Sequence, residues 1–161
     1  MNDEITGAQL ETLKSRFRAA GYRVEDINDS SFEIEGVDPP VATHVWVTPY
    51  FLQLSTFILA IPRRFMGGRR SKLNAFLSAS NLRAKLVKFT VEASKRNADN
   101  GWPILATVKL ITGVTGVDYD ADAIKNMAAL YYQDIDQFVG SPDGFELFGM
   151  ERDDDSKSEK S

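Results

Sequence analysis

Apolar residues at Leu10, Leu13, Phe17 and Ala20 recur at the three-to-four spacing that lays one stripe along an α-helix. Thr6 precedes the run as a candidate N-cap, and Gly21 supplies the left-handed stop expected just past a helix end. Glu11, Lys14, Arg16 and Arg18 fill the other side, so this helix has one buried stripe and is not of the membrane-surface kind. From Tyr22 to Ile61 the period drops to two, in runs rich in Val, Ile, Phe, Trp and Thr broken by Asn28-Asp29, Gly36, Pro39-Pro40 and Pro49. Strands are predicted near 22–27, 31–36, 42–48 and 50–61. In the third, Val41, Thr43, Val45 and Val47 share one face, with His44 and Trp46 on the other. In the fourth, Leu52, Leu54, Thr56, Ile58 and Ala60 alternate with Phe51, Gln53, Ser55, Phe57 and Leu59. That strand is apolar on both faces, which places it centrally in a sheet.

Gly67-Gly68 marks a loop within Arg63–Arg70, and Leu73, Phe76, Leu77 and Ser80 then share one face of a second helix ending near Asn81. A hairpin follows. Val87, Phe89, Val91 and Ala93 point one way and Lys88, Thr90, Glu92 and Ser94 the other; Asn100-Gly101 is a favoured turn; Trp102, Ile104, Ala106, Val108 and Leu110 return as the partner strand. Segments 84–96 and 102–112 are therefore expected to pair. After Gly113 and Gly116, Asp118, Asp120 and Asp122 suit the first turn of a helix whose buried stripe runs through Ile124, Ala128, Tyr131, Ile135 and Phe138. Beyond Gly140 come a short apolar stretch, Phe145–Met150, and a charged, Ser/Lys-rich end expected to be largely flexible. The order helix, strands, helix, hairpin, helix predicts an α+β fold with an antiparallel sheet, residues 1–140 forming a single domain and 141–161 a tail.

That order, with the string LNAFLSASN at Leu73–Asn81, the hairpin KLVKFTVEASKRNADNGWPILATVKLI at Lys85–Ile111 and Gly113-Val114-Thr115 ahead of Ile124, Tyr131 and Phe138, resembles the YbjN-type family. These are small bacterial proteins labelled as sensory-transduction regulators and related in fold to type III secretion chaperones. The likeness spans roughly residues 6 to 140, and this chain departs from it by Asn97-Ala98-Asp99 at the hairpin tip and by the tail after Gly140. It implies a compact, homodimeric, cytoplasmic binding protein without a catalytic site, acting as a regulator or as a chaperone of another chain.

A chain of 161 residues with 43% hydrophobic and 26% charged residues is long enough for one substantial core. It has no apolar run long enough for a membrane span: Tyr50–Ile61 is interrupted by Gln53, Ser55 and Thr56. Asn2, Asp3 and Glu4 stand where an export signal would be basic and then apolar, in keeping with a cytoplasmic location. The absence of cysteine excludes disulfides and thiolate metal sites. The formal charge of −4 hides segregation: 63–96 hold ten basic residues and one acidic, while 97–161 hold five basic and thirteen acidic. A basic middle between acidic ends fits an anionic partner or, the preferred reading, halves that attract each other across a fold or a dimer.

Candidate chemistry is sparse. His44 is the sole histidine and sits beside Trp46 in a strand, so neither a His–His metal pair nor a histidine relay can be built, and no serine lies in a Gly-x-Ser-x-Gly elbow. Asp118, Asp120 and Asp122 have the alternation of a calcium loop, but position 129, where the bidentate Glu belongs, is Ala. Neither a metal nor another cofactor is expected. Arg63, Arg64, Arg69 and Arg70 surround two glycines at a helix entry and could hold a small anion or nucleic acid, without the Lys-Ser/Thr of a nucleotide P-loop and against a pI near 5.0. The preferred site is apolar: Trp46, Phe51, Phe57, Leu59, Trp102 and Leu105 exceed what one helix-covered face needs, and an uncovered sheet face or edge of this kind captures a partner polypeptide.

Overall fold

The computed structural model describes residues 5–36, 41–61, 70–92, 102–111 and 120–141. Helix α1, Gly7–Ala19, begins at Thr6, whose Oγ1 accepts from the Gln9 amide while the Gln9 side chain accepts from the Thr6 amide. This capping box satisfies two of the donors that a helix start leaves free. Gly21, at φ +97°, makes the left-handed exit. The chain then runs through β1 (Arg23–Asn28), β2 (Ser31–Glu35), β3 (Ala42–Val47) and β4 (Phe51–Ile61). Asn28 Oδ1 accepts from the Ser30 amide at the first turn, and Thr48 Oγ1 accepts from the Phe51 amide at the third, local side-chain bonds that favour turns over continued strand. Helix α2 (Arg70–Arg83), strands β5 (Lys88–Val91) and β6 (Trp102–Ile111) and helix α3 (Ala121–Val139) follow.

The six strands form one antiparallel sheet in the order β1-β2-β3-β4-β6-β5, so β4 is central as its two apolar faces predicted. The late hairpin is reshaped. β5 is only four residues long and pairs with β6 from Lys88↔Thr107 to Val91↔Ile104, whereas β6 runs alongside β4 for its whole length, from Trp102↔Ile61 to Ile111↔Phe51. A second departure lies within β4: the ladder slips between Phe57 and Leu59, so one extra residue is accommodated and the alternation reverses. Leu59 thereby turns to the core side, where it and Ile58 pack on the buried cluster, and Ala60 is exposed.

All three helices lie on one face. Leu10, Leu13 and Phe17 of α1, Leu73 and Phe76 of α2, and Ile124, Tyr131, Ile135 and Phe138 of α3 join Phe32, Ile34, Val45, Val47, Leu52, Leu54, Phe89, Ile104, Ala106 and Val108 of the strands in one cluster. Phe138 stacks on Phe89 at 4.2 Å between ring centroids and touches Phe76 at 5.0 Å, which ties α3, α2 and β5 together. Four hydroxyls within this core are bonded in a chain. Thr43 Oγ1 lies 2.8 Å from Thr56 Oγ1 and 2.7 Å from the Tyr132 hydroxyl; Thr56 Oγ1 lies 2.8 Å from the Tyr131 hydroxyl, which donates to the Ala106 carbonyl.

Candidate functional site

Alternation on each strand decides what the opposite face carries. In register across all six strands run Glu25, Glu33, His44, Ser55, Thr107 and Lys88. The next rows hold Ser31, Trp46, Gln53 and Lys109 on one side, and Phe57, Leu105 and Thr90 on the other. Among the described residues no helix covers this face. Phe57 is 57% exposed and Trp46 39%, far above what rings of that size keep in a covered sheet. Phe51 and Leu105 are half-buried, and Lys109 Nζ sits 3.9 Å from the centre of the Phe51 ring, a cation–π contact. His44 packs on Trp46 with ring centroids 3.7 Å apart. Burial holds the His44 pKa below its ordinary value, against the opposing pull of Glu33, so the imidazole is neutral near pH 7.

Four of the six apolar residues expected at the site therefore share the bare face: Trp46, Phe51, Phe57 and Leu105. Leu59 does not, because the slip in β4 rotates it inward. The backbone of Trp102 pairs with Ile61, and its side chain is outside the described part. Of the alternative anion site, Arg63, Arg64 and Arg69 lie outside the described residues; Arg70 opens α2. Asp120 caps α3, accepting from the Ala123 amide at 2.8 Å, as its place before a helix predicts, and Asp122 lies in the first turn; Asp118 falls outside the described residues. Among the described residues no cluster of His, Asp and Glu could hold a metal ion.

Two residues that the sequence did not single out shape the edge of the sheet. Asn81 of α2 donates from Nδ2 to the Phe89 carbonyl at 3.0 Å and accepts at Oδ1 from the Phe89 amide at 2.7 Å. Asp134 of α3 accepts from the amides of Lys85, Leu86 and Val87 at 3.1, 2.7 and 3.0 Å. Together they occupy main-chain groups that an incoming strand would need beside β5. Beside them a groove of about 540 Å³, lined by Ser80, Arg83, Asp134, Asp136 and Gln137 among others, contains no nucleophile paired with a base. Both Asn81 and Asp134 fall on buried helical stripes, at the spacing of Leu77 and of Tyr131 and Phe138, which is the one signal that could have marked them.

The architecture is thus an α+β protein with three helices on one side of a six-stranded antiparallel sheet and a mixed apolar and charged surface on the other. This chain is similar in structure to YbjN from E. coli, described as a candidate transcription regulator: the TM-score is 0.61 at 15% sequence identity, covering 81% of this chain and 87% of that one. At that identity the likeness is one of fold. No family model matches the sequence, and no curated protein matches it. No described helix is long and apolar enough to cross a membrane.

Proposed function

We propose that this chain is a non-enzymatic binding protein of regulatory or chaperone-like kind, a cytoplasmic homodimer that captures a partner polypeptide through its bare sheet face. The observation that carries the reading is Phe57, more than half exposed on a central strand, with Leu105 across the ladder from it and Trp46 two rows along on the same uncovered surface. Leaving such rings in water forgoes about 25 cal/mol for every Å² that another surface would cover. The face is preferred to the β5 edge because Asn81 and Asp134 already occupy that edge. The regulatory label of the E. coli neighbour points the same way. The test is capture of partners from the native host's extract by the immobilised chain, beside Phe57→Asp and Leu105→Asp variants. Both replacements lie on the outer face, so the variants should melt like the isolated parent subunit while losing the captured polypeptide. Retention by both variants would refute the reading.

A further inference from the structure

A surface that binds a copy of itself across a two-fold axis must be self-complementary, its acidic region meeting its basic region on the rotated copy. The bare face has that property along one axis only. Strands β1 and β2 contribute Glu25, Glu33 and Glu35 to it against Arg23, which lies 3.9 Å from Glu35. Strands β5 and β6 contribute Lys88 and Lys109; Glu92, one step past β5 with its amide still donating to the Pro103 carbonyl, is the acidic residue at the end of this flank, which stays net basic. Between these flanks are Trp46 and Phe57, on the two middle strands of the six.

Resting on the reading of this face as the binding surface, we infer that in the absence of its partner polypeptide the face closes on a second copy of the chain, across a two-fold axis parallel to the strands, acidic flank over basic flank. An in-plane axis perpendicular to the strands would stack β1 on β1 and β5 on β5, setting like charges against each other. The parallel axis exchanges the flanks. Passing through the row Glu25, Glu33, His44, Ser55, Thr107, Lys88 between His44 and Ser55, it carries Glu25 over Lys88 of the second copy and the reverse. The two sheets then pack face to face in the aligned manner, about 10 Å apart. The face is about 24 Å wide at ~4.8 Å per strand step and about 33 Å long at β4, room for a patch approaching the ~800 Å² per partner of specific interfaces. Trp46 and Phe57 fall near the axis, where an interface is driest, and the ion pairs at its rim, where they set orientation. A partner polypeptide would have to displace the second copy.

The test is sedimentation velocity on the full chain and two charge-reversed forms. Glu25→Lys with Glu33→Lys makes both flanks net basic; Lys88→Glu with Lys109→Glu makes both net acidic. All four positions are solvent-facing or half-exposed, and a cooperative melting transition at the midpoint of the dilute, dissociated parent confirms that each form folds. The parent should be a dimer that weakens about tenfold or more as salt screens the rim pairs. Each reversed form alone should be monomeric, and an equimolar mixture of the two should restore a dimer. A monomeric parent, reversed forms that still dimerise alone, or a mixture that stays monomeric would overturn the inference. A monomeric parent that loses its captured polypeptide on Phe57→Asp removes this dimer and the homodimeric part of the proposed function, and leaves polypeptide capture through this face standing. A dimer with the expected charge specificity whose capture ignores Phe57→Asp does the opposite.

Discussion

A backbone carbonyl can only accept a hydrogen bond, so the Tyr131 hydroxyl must spend its single proton on Ala106. Thr56 must then donate to Tyr131, Thr43 to Thr56 and Tyr132 to Thr43, since each hydroxyl has one proton and the next acceptor is already chosen. The chain of donors is directional, and it pins α3 to β3, β4 and β6 through the middle of the core. Its members are unequal. Replacing Tyr131 by Phe strands the Thr56 proton and removes a donor from a buried carbonyl, so Tyr131→Phe should lower stability by about 1–3 kcal/mol in urea unfolding. Tyr132→Phe removes only the first donor, leaves Thr43 free to serve Thr56, and should cost less. Burial, opposed by the Thr43 hydrogen bond, pushes the Tyr132 pKa up to about 12 from 10.0. A folded-state pKa above the unfolded one stabilises fully below pH 10.0 and is lost as pH climbs through the folded value. The urea midpoint of the parent should therefore fall steeply in that alkaline window, and Tyr132→Phe should flatten the fall without abolishing it, because burial raises the Tyr131 pKa as well.

At the scale of elements, polar side chains replace missing strands. Asp134 gathers three amides ahead of β5, and Asn81 mimics a neighbouring strand by bonding both main-chain groups of Phe89. Asp134→Ala should be the more damaging change, about 3 kcal/mol or more, because three buried or half-buried donors lose a charged acceptor; Asn81→Ala should cost about 1–3 kcal/mol. Asn81→Ala also opens the β5 edge, and light scattering should show association continuing beyond a dimer as concentration rises, where the parent stops at the dimer. The strands were legible because Thr43, Val45 and Val47 alternate with His44 and Trp46, and the α1 boundaries because Thr6 and Gly21 are position-specific signals. The slip in β4 was not: Phe57, Ile58 and Leu59 are all large and apolar, so no polar contrast reveals where the alternation reverses, and Leu59 was assigned to the wrong side. Nor does any local pattern say that β6 will lie between β4 and β5, since that pairing joins segments forty or more residues apart whose faces look alike. Asn81 and Asp134 stood on buried stripes, but their partners belong to other elements, and polar residues there read as surface until the fold is assembled.

For the molecule as a whole, the two faces of one sheet obey different rules, and β4 displays both. Leu54 is fully buried beneath the helices; Phe57, three residues on, points away from them and is 57% exposed. A carboxylate introduced at Leu54 would be desolvated with nothing to pair it, whereas at Phe57 it meets water and, across the ladder, only half-buried Leu105. Leu54→Asp should thus abolish cooperative unfolding, while Phe57→Asp should leave the melting transition of the isolated subunit nearly unchanged. Where the face is covered, the second substitution acquires a cost that the first never reveals: the carboxylate must enter an apolar interface, so it weakens association and not folding. Melting followed at rising protein concentration separates the two effects, because linkage to assembly raises the midpoint of the parent with concentration and should not do so for Phe57→Asp. A parent whose midpoint is independent of concentration, alone and with its captured polypeptide, would mean that this face meets only solvent, and the exposure of Phe57 would then be a tolerated loss of burial with no bearing on function.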